Sequence, residues 1–150
     1  MSKLLPNSSP IPNMYFDELL YLLTPPEQAA LLYLCRRTYG FHRDRERISI
    51  TQFCEGKFSR DGKRLDHGTA LTKNTVRKAL RSLLAFNIIE CTRPAIEFPE
   101  VSRKPAEYAI QLDSEQIKWP DLITRWESKN EANKRRVEHL VNVNTQAKFI

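Results

Sequence analysis

Residues 70–86 read ALTKNTVRKALRSLLAF, and this stretch decides the fold. Thr72 is a good N-cap, because its hydroxyl can accept a hydrogen bond from a free backbone N–H of a first helical turn. Apolar residues then follow at the i, i+3, i+4, i+7, i+8 spacing of a helix with one buried face. They are Val76, Ala79, Leu80, Leu83 and Leu84. The stretch therefore predicts a short, capped helix with one face in the core.

The opposite face of this predicted helix is cationic and carries an amide. At about 100° per residue, it is formed by Asn74, Lys78 and Arg81, with Arg77 and Ser82 beside them. In a major groove, Asn can pair with adenine and Arg or Lys with guanine, and both cations can contact phosphates. We therefore predict a DNA-recognition helix. A solvated surface helix shows the same pattern, so the neighbouring segments have to decide between the two.

The net charge of +6 is concentrated around this helix. Residues 57–81 contain eight basic and two acidic residues, an excess of six, and the remaining 16 basic and 16 acidic residues cancel. A basic segment of this kind indicates a polyanionic partner. A membrane surface would more often take a basic amphipathic helix with exposed apolar bulk, and the sequence has no such helix.

The N-terminal part predicts a tail and two helices. Residues 1–12 mix Ser, Asn and Pro with little periodicity, which is typical of a flexible tail. Residues 13–23 predict a short helix capped by Asn13. The segment Thr24–Glu27 has an N-cap threonine, a proline at the first helical position and a glutamate three residues on, the capping-box pattern. It predicts a helix that runs to residue 39 and ends at Gly40. Its expected core residues are Ala30, Leu31, Leu34, Cys35 and Thr38.

The segment between this helix and the recognition helix predicts three short elements. After a charged loop over residues 42–47, Ile48–Ile50 alternates as a short strand would. Thr51 then caps a brief helix that Gly56 stops. Lys57–Leu65 has apolar ends around Asp-Gly, a dipeptide suited to a tight turn. It predicts a small hairpin or loop inserted between two helices.

The segment after the recognition helix predicts two paired strands. Asn87 follows the helix where a left-handed residue is common, residues 88–92 read as a strand, and residues 107–112 alternate as its antiparallel partner. The loop between them contains prolines that keep it out of the ladder. A last helix begins at Trp119 and runs to about Val141. Its apolar positions are Leu122, Trp126, Val137 and Leu140.

This order of helices, strands and loop is that of a winged helix-turn-helix, in which the loop between the last two strands is the wing. The predicted fold class is α+β and mostly helical, with a small antiparallel sheet and an appended C-terminal helix. The predicted divisions are a tail at 1–12, a DNA-binding domain at 13–112 and a helical extension at 113–150. The extension can pack back on the domain or form a homodimer with a second copy.

The remaining sequence signals argue against catalysis, a cofactor and a membrane. The three cysteines and three histidines lack metal-ligand spacing, so we expect no disulfide, metal or cofactor. Because there is no Gly-rich phosphate loop and no nucleophile beside a base, we expect no enzyme. A DNA-cutting tyrosine, Tyr39 or Tyr108, stays an alternative, although core packing explains both better. Without a membrane-spanning run or a secretion signal, the expected location is cytoplasmic.

Four segments carry motifs found together in one known family. Ile11–Glu18 contains Pro-Asn followed by Met, two aromatic residues, Asp and Glu, and Leu32–Phe41 contains Arg-Arg-Thr-Tyr-Gly-Phe. The third and fourth segments are Ile48–Phe53 and Leu71–Leu80. Together they resemble the N-terminal domain of bacteriophage replication protein O and related plasmid and phage replication initiators, with the last segment shared by DnaD-type primosomal proteins. The similarity covers about residues 11–112. It implies binding to origin or repeat sequences. The chain departs from the family pattern in the insertion at residues 56–65 and in the short segment after residue 112, so the resemblance does not imply a helicase-loading role.

The sequence thus predicts a protein that binds double-stranded DNA in a sequence-specific manner. The leading interpretation is a phage- or plasmid-type replication initiator, with other replication proteins as candidate partners. A winged-helix transcriptional regulator and a winged helix that binds a protein are the alternatives. The expected DNA contacts lie on the recognition helix, the hairpin and the wing. They are Lys73, Asn74, Thr75, Arg77, Lys78 and Arg81 on the helix, Arg60, Lys63 and Arg64 on the hairpin, and Arg103 and Lys104 on the wing.

Overall fold

A computed structural model of the protein describes residues 6–143. The fold is α+β and about 53% helical, with one three-stranded antiparallel sheet. The chain forms two compact units, Met1–Ile117 and Lys118–Ile150. The first unit contains α1, β1, α2, α3, β2 and β3 in that order, and the second contains α4. Their bounds are Pro25–Arg37 for α1, Arg45–Arg47 for β1, Ile50–Glu55 for α2, Lys73–Ala85 for α3, Ile89–Arg93 for β2, Glu107–Ile110 for β3 and Trp119–Val143 for α4.

The segment before α1 is less regular than predicted. Of the predicted tail, residues 1–5 lie outside the described residues, and residues 6–12 contain no helix or strand. The helix predicted for residues 13–23 is a π-helical turn, Tyr15–Leu19, followed by a 3₁₀ turn, Leu20–Leu22. Met14, and not Asn13, occupies its N-cap, where no side chain bonds the free N–H groups. Without a cap, burial of Tyr15, Leu19 and Leu22 shapes the segment.

The start of α1 is confirmed and its end is not. The Thr24 hydroxyl accepts from the N–H of Glu27 at 3.4 Å, and the Glu27 carboxylate accepts from the N–H of Thr24 at 3.0 Å, which completes the capping box. The predicted core residues of α1 are buried, including Thr38, whose hydroxyl donates to the Leu34 carbonyl at 2.7 Å. The helix ends at Arg37, two residues early, because Thr38 leaves the helical conformation. The left-handed residue after it is His42 and not Gly40.

The strand predicted at Ile48–Ile50 is wrong, because the strand lies just before it at Arg45–Arg47, in the predicted charged loop. The Ser49 hydroxyl accepts from the N–H of Gln52 at 3.0 Å and caps α2, two residues before the predicted cap. Charged residues are tolerated in β1 because it is an edge strand of the sheet, whose order is β1-β3-β2.

The two strands predicted after α3 are confirmed as an antiparallel pair. The central strand, β3, pairs with β1 from Arg45↔Ala109 onward and with β2 from Ile89↔Ile110 onward. Between the helices and the sheet, the Phe53 ring packs edge to face against two other rings. Its centroid lies 5.4 Å from that of Tyr33 and 6.1 Å from that of Tyr108. One core therefore joins α1, α2 and β3 and supports α3, which packs against α1 and α2.

Helix α3 forms where the sequence predicts it. Its predicted inner face is buried except for Leu84, which is partly exposed. Asn87 has a φ of 57°, and the N–H of Ile88 bonds the Leu83 carbonyl at 2.9 Å, so the predicted left-handed ending is confirmed. Such a cap satisfies carbonyl groups that the end of a helix leaves open.

Helix α4 begins at Trp119 as predicted and extends two residues beyond the predicted end. Leu122 is fully buried and Trp126 is 36% exposed, while the predicted apolar positions 137 and 140 lie outside the described side chains.

No helix within residues 6–143 combines the length and the apolar character needed to cross a membrane.

Candidate nucleic-acid interface

The outer face of α3 presents its polar side chains to solvent. Lys73, Asn74, Arg77, Lys78 and Arg81 are all exposed, as the sequence predicts for a recognition helix. Within the described residues, ion pairs form only between Arg and Glu side chains outside α3. The positive charges of α3 are therefore not neutralised by salt bridges, which leaves them available to a polyanion.

The first turn of α3 is fixed by its cap. The Thr72 hydroxyl accepts from the N–H of Thr75 at 3.3 Å and lies 2.8 Å from the Thr75 hydroxyl. Thr75 is half-buried, and its hydroxyl contacts the Thr72 hydroxyl at the start of the helix. The same hydroxyl is therefore shared between the cap and any DNA contact. This cap orients the residues that follow it, because a capped first turn does not fray.

Asn74 lies on the exposed outer face of this turn. Its amide oxygen accepts from Nη1 of Arg77 at 3.4 Å, a long and exposed hydrogen bond. Bidentate pairing with adenine needs the oxygen of the amide as acceptor and its nitrogen as donor. Because a bond of 3.4 Å lies beyond the usual N–H···O range, Arg77 can release Asn74 to a base at little cost and turn to a phosphate.

The predicted hairpin between α2 and α3 is confirmed. Phe58 and Arg64 form an antiparallel bridge, and the N–H of Ser59 bonds the Lys63 carbonyl at 2.8 Å. At the base of the hairpin the chain closes tightly, since a Cβ on Gly56 would lie 2.0 Å from the Asp66 carbonyl oxygen and one on Gly68 would lie 2.6 Å from the Gly56 nitrogen. The insertion therefore leaves α2 and α3 packed together as in a short turn.

The three hairpin cations differ in their surroundings. Arg60 and Lys63 are exposed and free of salt bridges within the described residues. Arg64 is committed to the fold, because its Nη1 donates to the Glu55 carbonyl and its guanidinium stacks 4.4 Å from the centre of the Phe58 ring. Asp61 is held by the Ser59 hydroxyl at 2.6 Å, and this hydrogen bond lowers the pKa of its carboxyl. Arg60 and Lys63 are the better candidates for phosphate contact.

The predicted wing, the loop between β2 and β3, has no net charge. Ile96 and Lys104 exchange two backbone hydrogen bonds of 2.8 Å, which hold the base of the loop together. Arg103 and Lys104 are exposed, as predicted, but Glu97 and Glu100 are exposed in the same loop. The three basic and three acidic residues of segment 93–107 cancel. The positive charge of the candidate DNA interface therefore comes from α3 and the hairpin, and a DNA contact by this loop stays a prediction.

Burial disfavours the reactive, deprotonated forms of two cysteines and of the two candidate tyrosines. Burial raises the pKa of the Cys35 thiol to about 12 and also raises the pKa of Cys54, while Cys91 is exposed. Burial likewise raises the pKa of Tyr39 and of Tyr108, the opposite of what a nucleophile needs. No three His, Cys, Asp or Glu side chains within residues 6–143 are grouped to hold a metal ion.

Sequence reasoning missed a second cationic site at the end of α1. Arg36, Arg37, Arg43 and Lys57 line one cavity there. Arg37 follows Leu34 by three residues and so falls on the buried stripe of α1. An arginine at such a position was a signal that could have revealed the site.

No protein-family model, curated protein or solved structure matches the chain. The resemblance to phage replication proteins therefore rests on the quoted segments, and a function has to be argued from the chemistry of the site.

Proposed function

We propose that the chain binds double-stranded DNA in a sequence-specific manner through α3, without catalysis or a cofactor, in the cytoplasm. The observation that carries this proposal is the outer face of α3. It combines an accessible amide, Asn74, with four exposed cations that no salt bridge within the described residues neutralises. Such a face supplies both base-reading and phosphate-binding groups.

We further propose that the first unit is a winged helix-turn-helix. The order α1, β1, α2, α3, β2, β3 and the central place of β3 in the sheet support this. In this arrangement α2 and α3 are the helix-turn-helix pair, and the first turns of α3 enter the major groove. The hairpin between α2 and α3 then supplies phosphate contacts through Arg60 and Lys63.

Within DNA binding, we favour a replication initiator of phage or plasmid type that acts with other replication proteins. The support is the resemblance of the segment that precedes α1 and of the Arg-Arg-Thr-Tyr-Gly-Phe string to such initiators. A transcriptional regulator remains the alternative within this class, because both would use the same helix.

Selection of binding sites from random duplexes, followed by native mass measurement of the complex, tests the proposal. We expect one enriched motif. Directly repeated half-sites would indicate an initiator that binds along an array, and a palindrome with two protein copies would indicate a symmetric dimer, with α4 as the candidate contact. Selection that enriches no sequence at any salt concentration would overturn the proposal.

A second candidate function, binding to a protein, is favoured by the tip of the wing. Phe98 is 79% exposed and Val101 is 95% exposed, and Glu97 and Glu100 lie beside them. This surface suits a protein with apolar and basic side chains better than it suits phosphates. Photo-crosslinking from position 101 in cells tests it. A protein product that disappears with Phe98→Ser is expected, and crosslinks to DNA alone would reject this function for the wing.

A further inference from the structure

A cavity of about 240 Å³ opens beside the end of α1. It is lined by residues of α1, of the segment from Phe41 to Glu46 and of the α2–α3 linker. Four of its side chains are cationic and two are carboxylates, Glu46 and Asp66, an excess of two positive charges. One water molecule occupies roughly 30 Å³ in the liquid, so a tetrahedral oxyanion has room.

Arg37 gives this cavity a buried positive charge that no salt bridge within the described residues neutralises. The residue is only 2% exposed, and no carboxylate within the described residues lies at salt-bridge distance. Its Nη1 donates to the Tyr33 hydroxyl at 3.2 Å and to the Gln52 amide oxygen at 3.1 Å, both neutral acceptors. A buried charge is costly unless it is paired. Within the described residues the hydrogen bonds of Arg37 use Nη1, which leaves its Nε and Nη2 groups as donors for an anion.

The two carboxylates of the cavity are held by the protein. Glu46 forms an ion pair with Arg43 and accepts from the N–H of Arg47 at 3.0 Å. Asp66 accepts from the Tyr33 hydroxyl at 3.0 Å and from the N–H of Gly68 at 2.9 Å. These bonds fix the negative charges. Asp66 is linked to Arg37 through the Tyr33 hydroxyl, which donates to Asp66 and accepts from Arg37, but within the described residues neither carboxylate forms a salt bridge with Arg37.

An aromatic ring holds two of the other cations near the cavity. Phe41 is 47% exposed, and the Arg36 and Arg43 guanidinium carbons lie 4.3 Å and 6.0 Å from the centre of its ring. Arg36 also donates to the Gly40 carbonyl at 3.1 Å. Cation–π contact and this hydrogen bond limit the motion of the guanidinium groups, so a ligand would lose less by ordering them.

We propose that this cavity binds a phosphate group, with Arg37 as its buried donor and Arg36, Arg43 and Lys57 around it. The planar guanidinium fork matches the oxygens of a phosphate in a bidentate manner. The phosphate belongs either to a nucleic-acid backbone or to a small molecule. The site does not depend on α3 and stands whether or not α3 reads DNA.

Titration of the full chain with inorganic phosphate at constant ionic strength tests the site. The signals to follow are the arginine Nε–H resonances in the NMR spectrum. We expect a saturable shift of the Arg37 resonance. The Arg36→Gln/Arg43→Gln variant removes the excess of positive charge in the cavity and leaves Glu46 without its ion pair. It should bind phosphate at least about tenfold more weakly. Arg45→Gln, which removes an exposed cation of β1 outside the cavity, should bind as the wild type does.

The results of these titrations separate the outcomes. A linear response that is equal in all three proteins, or an Arg37 resonance that does not move, would overturn the proposal. Displacement of inorganic phosphate by duplex DNA would assign the site to a backbone phosphate, and retention in the presence of saturating duplex would assign it to a small molecule. The Lys78→Gln/Arg81→Gln variant alters only α3. If this variant loses DNA binding but still binds inorganic phosphate, the two sites are separate.

Discussion

Gly56→Ala should strongly destabilise the first unit, because two backbone constraints meet at this residue. Gly56 has a φ of 92°, in the left-handed half of conformational space, and an added Cβ would lie 2.0 Å from the Asp66 carbonyl oxygen and 2.5 Å from its carbon. Both atoms belong to the backbone and cannot rotate away. Relief of the clash requires the base of the hairpin to open, which would disturb the turn that precedes α3.

The magnitude follows from a comparison with Gly62. Gly62 has a similar φ of 83°, but nothing lies within 4 Å of its added Cβ. Gly62→Ala should therefore cost only the left-handed penalty, about 1–2 kcal/mol. Gly56→Ala adds overpacking, which typically costs about 1–3 kcal/mol more. The difference between the two variants combines the close approach of Asp66 with the extended backbone of Gly56, whose ψ of −177° at positive φ is a conformation that only glycine readily adopts.

Urea unfolding followed by far-ultraviolet circular dichroism measures both losses. The denaturation midpoint should fall further for Gly56→Ala than for Gly62→Ala, with similar slopes for the two variants. Equal losses would mean that the hairpin base is not closed in solution, and the placement of α3 behind a tight turn would then be refuted.

Further expectations concern single side chains. Asn74→Ala should cost about 1–3 kcal/mol on the preferred DNA site and relax the preference there, as measured by fluorescence anisotropy, whereas equal loss on all sequences would make Asn74 a backbone contact. Arg64→Gln should lower the free energy of unfolding by about 1 kcal/mol, because it removes the hydrogen bond to the Glu55 carbonyl and the contact with the Phe58 ring. Lys63→Gln, the control, should leave the free energy of unfolding within about 0.5 kcal/mol of the wild-type value. Equal effects of the two substitutions would contradict a structural role for Arg64. Iodoacetamide at pH 8 should label Cys91 rapidly and Cys35 only after unfolding, as counted by mass spectrometry, because burial keeps the Cys35 thiol protonated below a pKa of about 12; rapid labelling of Cys35 in the native chain would contradict its burial.

The helices that carry strong local signals could be predicted from the sequence. Thr24 and Glu27 form the capping box, and Thr72 caps α3, because these caps depend on residues only three positions apart. Asn87 adopts the left-handed conformation for a similarly local reason. The residues on the outer face of α3 could also be predicted, because the helical period that places the apolar residues on the inner face places these residues opposite them.

The edge strand and the cavity could not be predicted in this way. Strand β1 consists of Arg, Glu and Arg, and its pairing with β3 depends on residues about 60 positions later in the chain. Neither apolar alternation nor β-propensity marks such a strand. The Arg37 cavity depends on three separate segments that meet in space, although the buried position of Arg37 on α1 was visible in the helical pattern.

The most direct test of DNA binding by α3 is the salt dependence of the affinity for the selected duplex. If the wild type neutralises about six phosphates, the log–log slope should be about −5. Lys78→Gln/Arg81→Gln should reduce its magnitude by about 2, and removal of two exposed cations elsewhere, in Arg45→Gln/Lys118→Gln, should leave it unchanged. A wild-type slope near zero, or equal slopes in all three proteins, would contradict the proposal that α3 carries the DNA contacts.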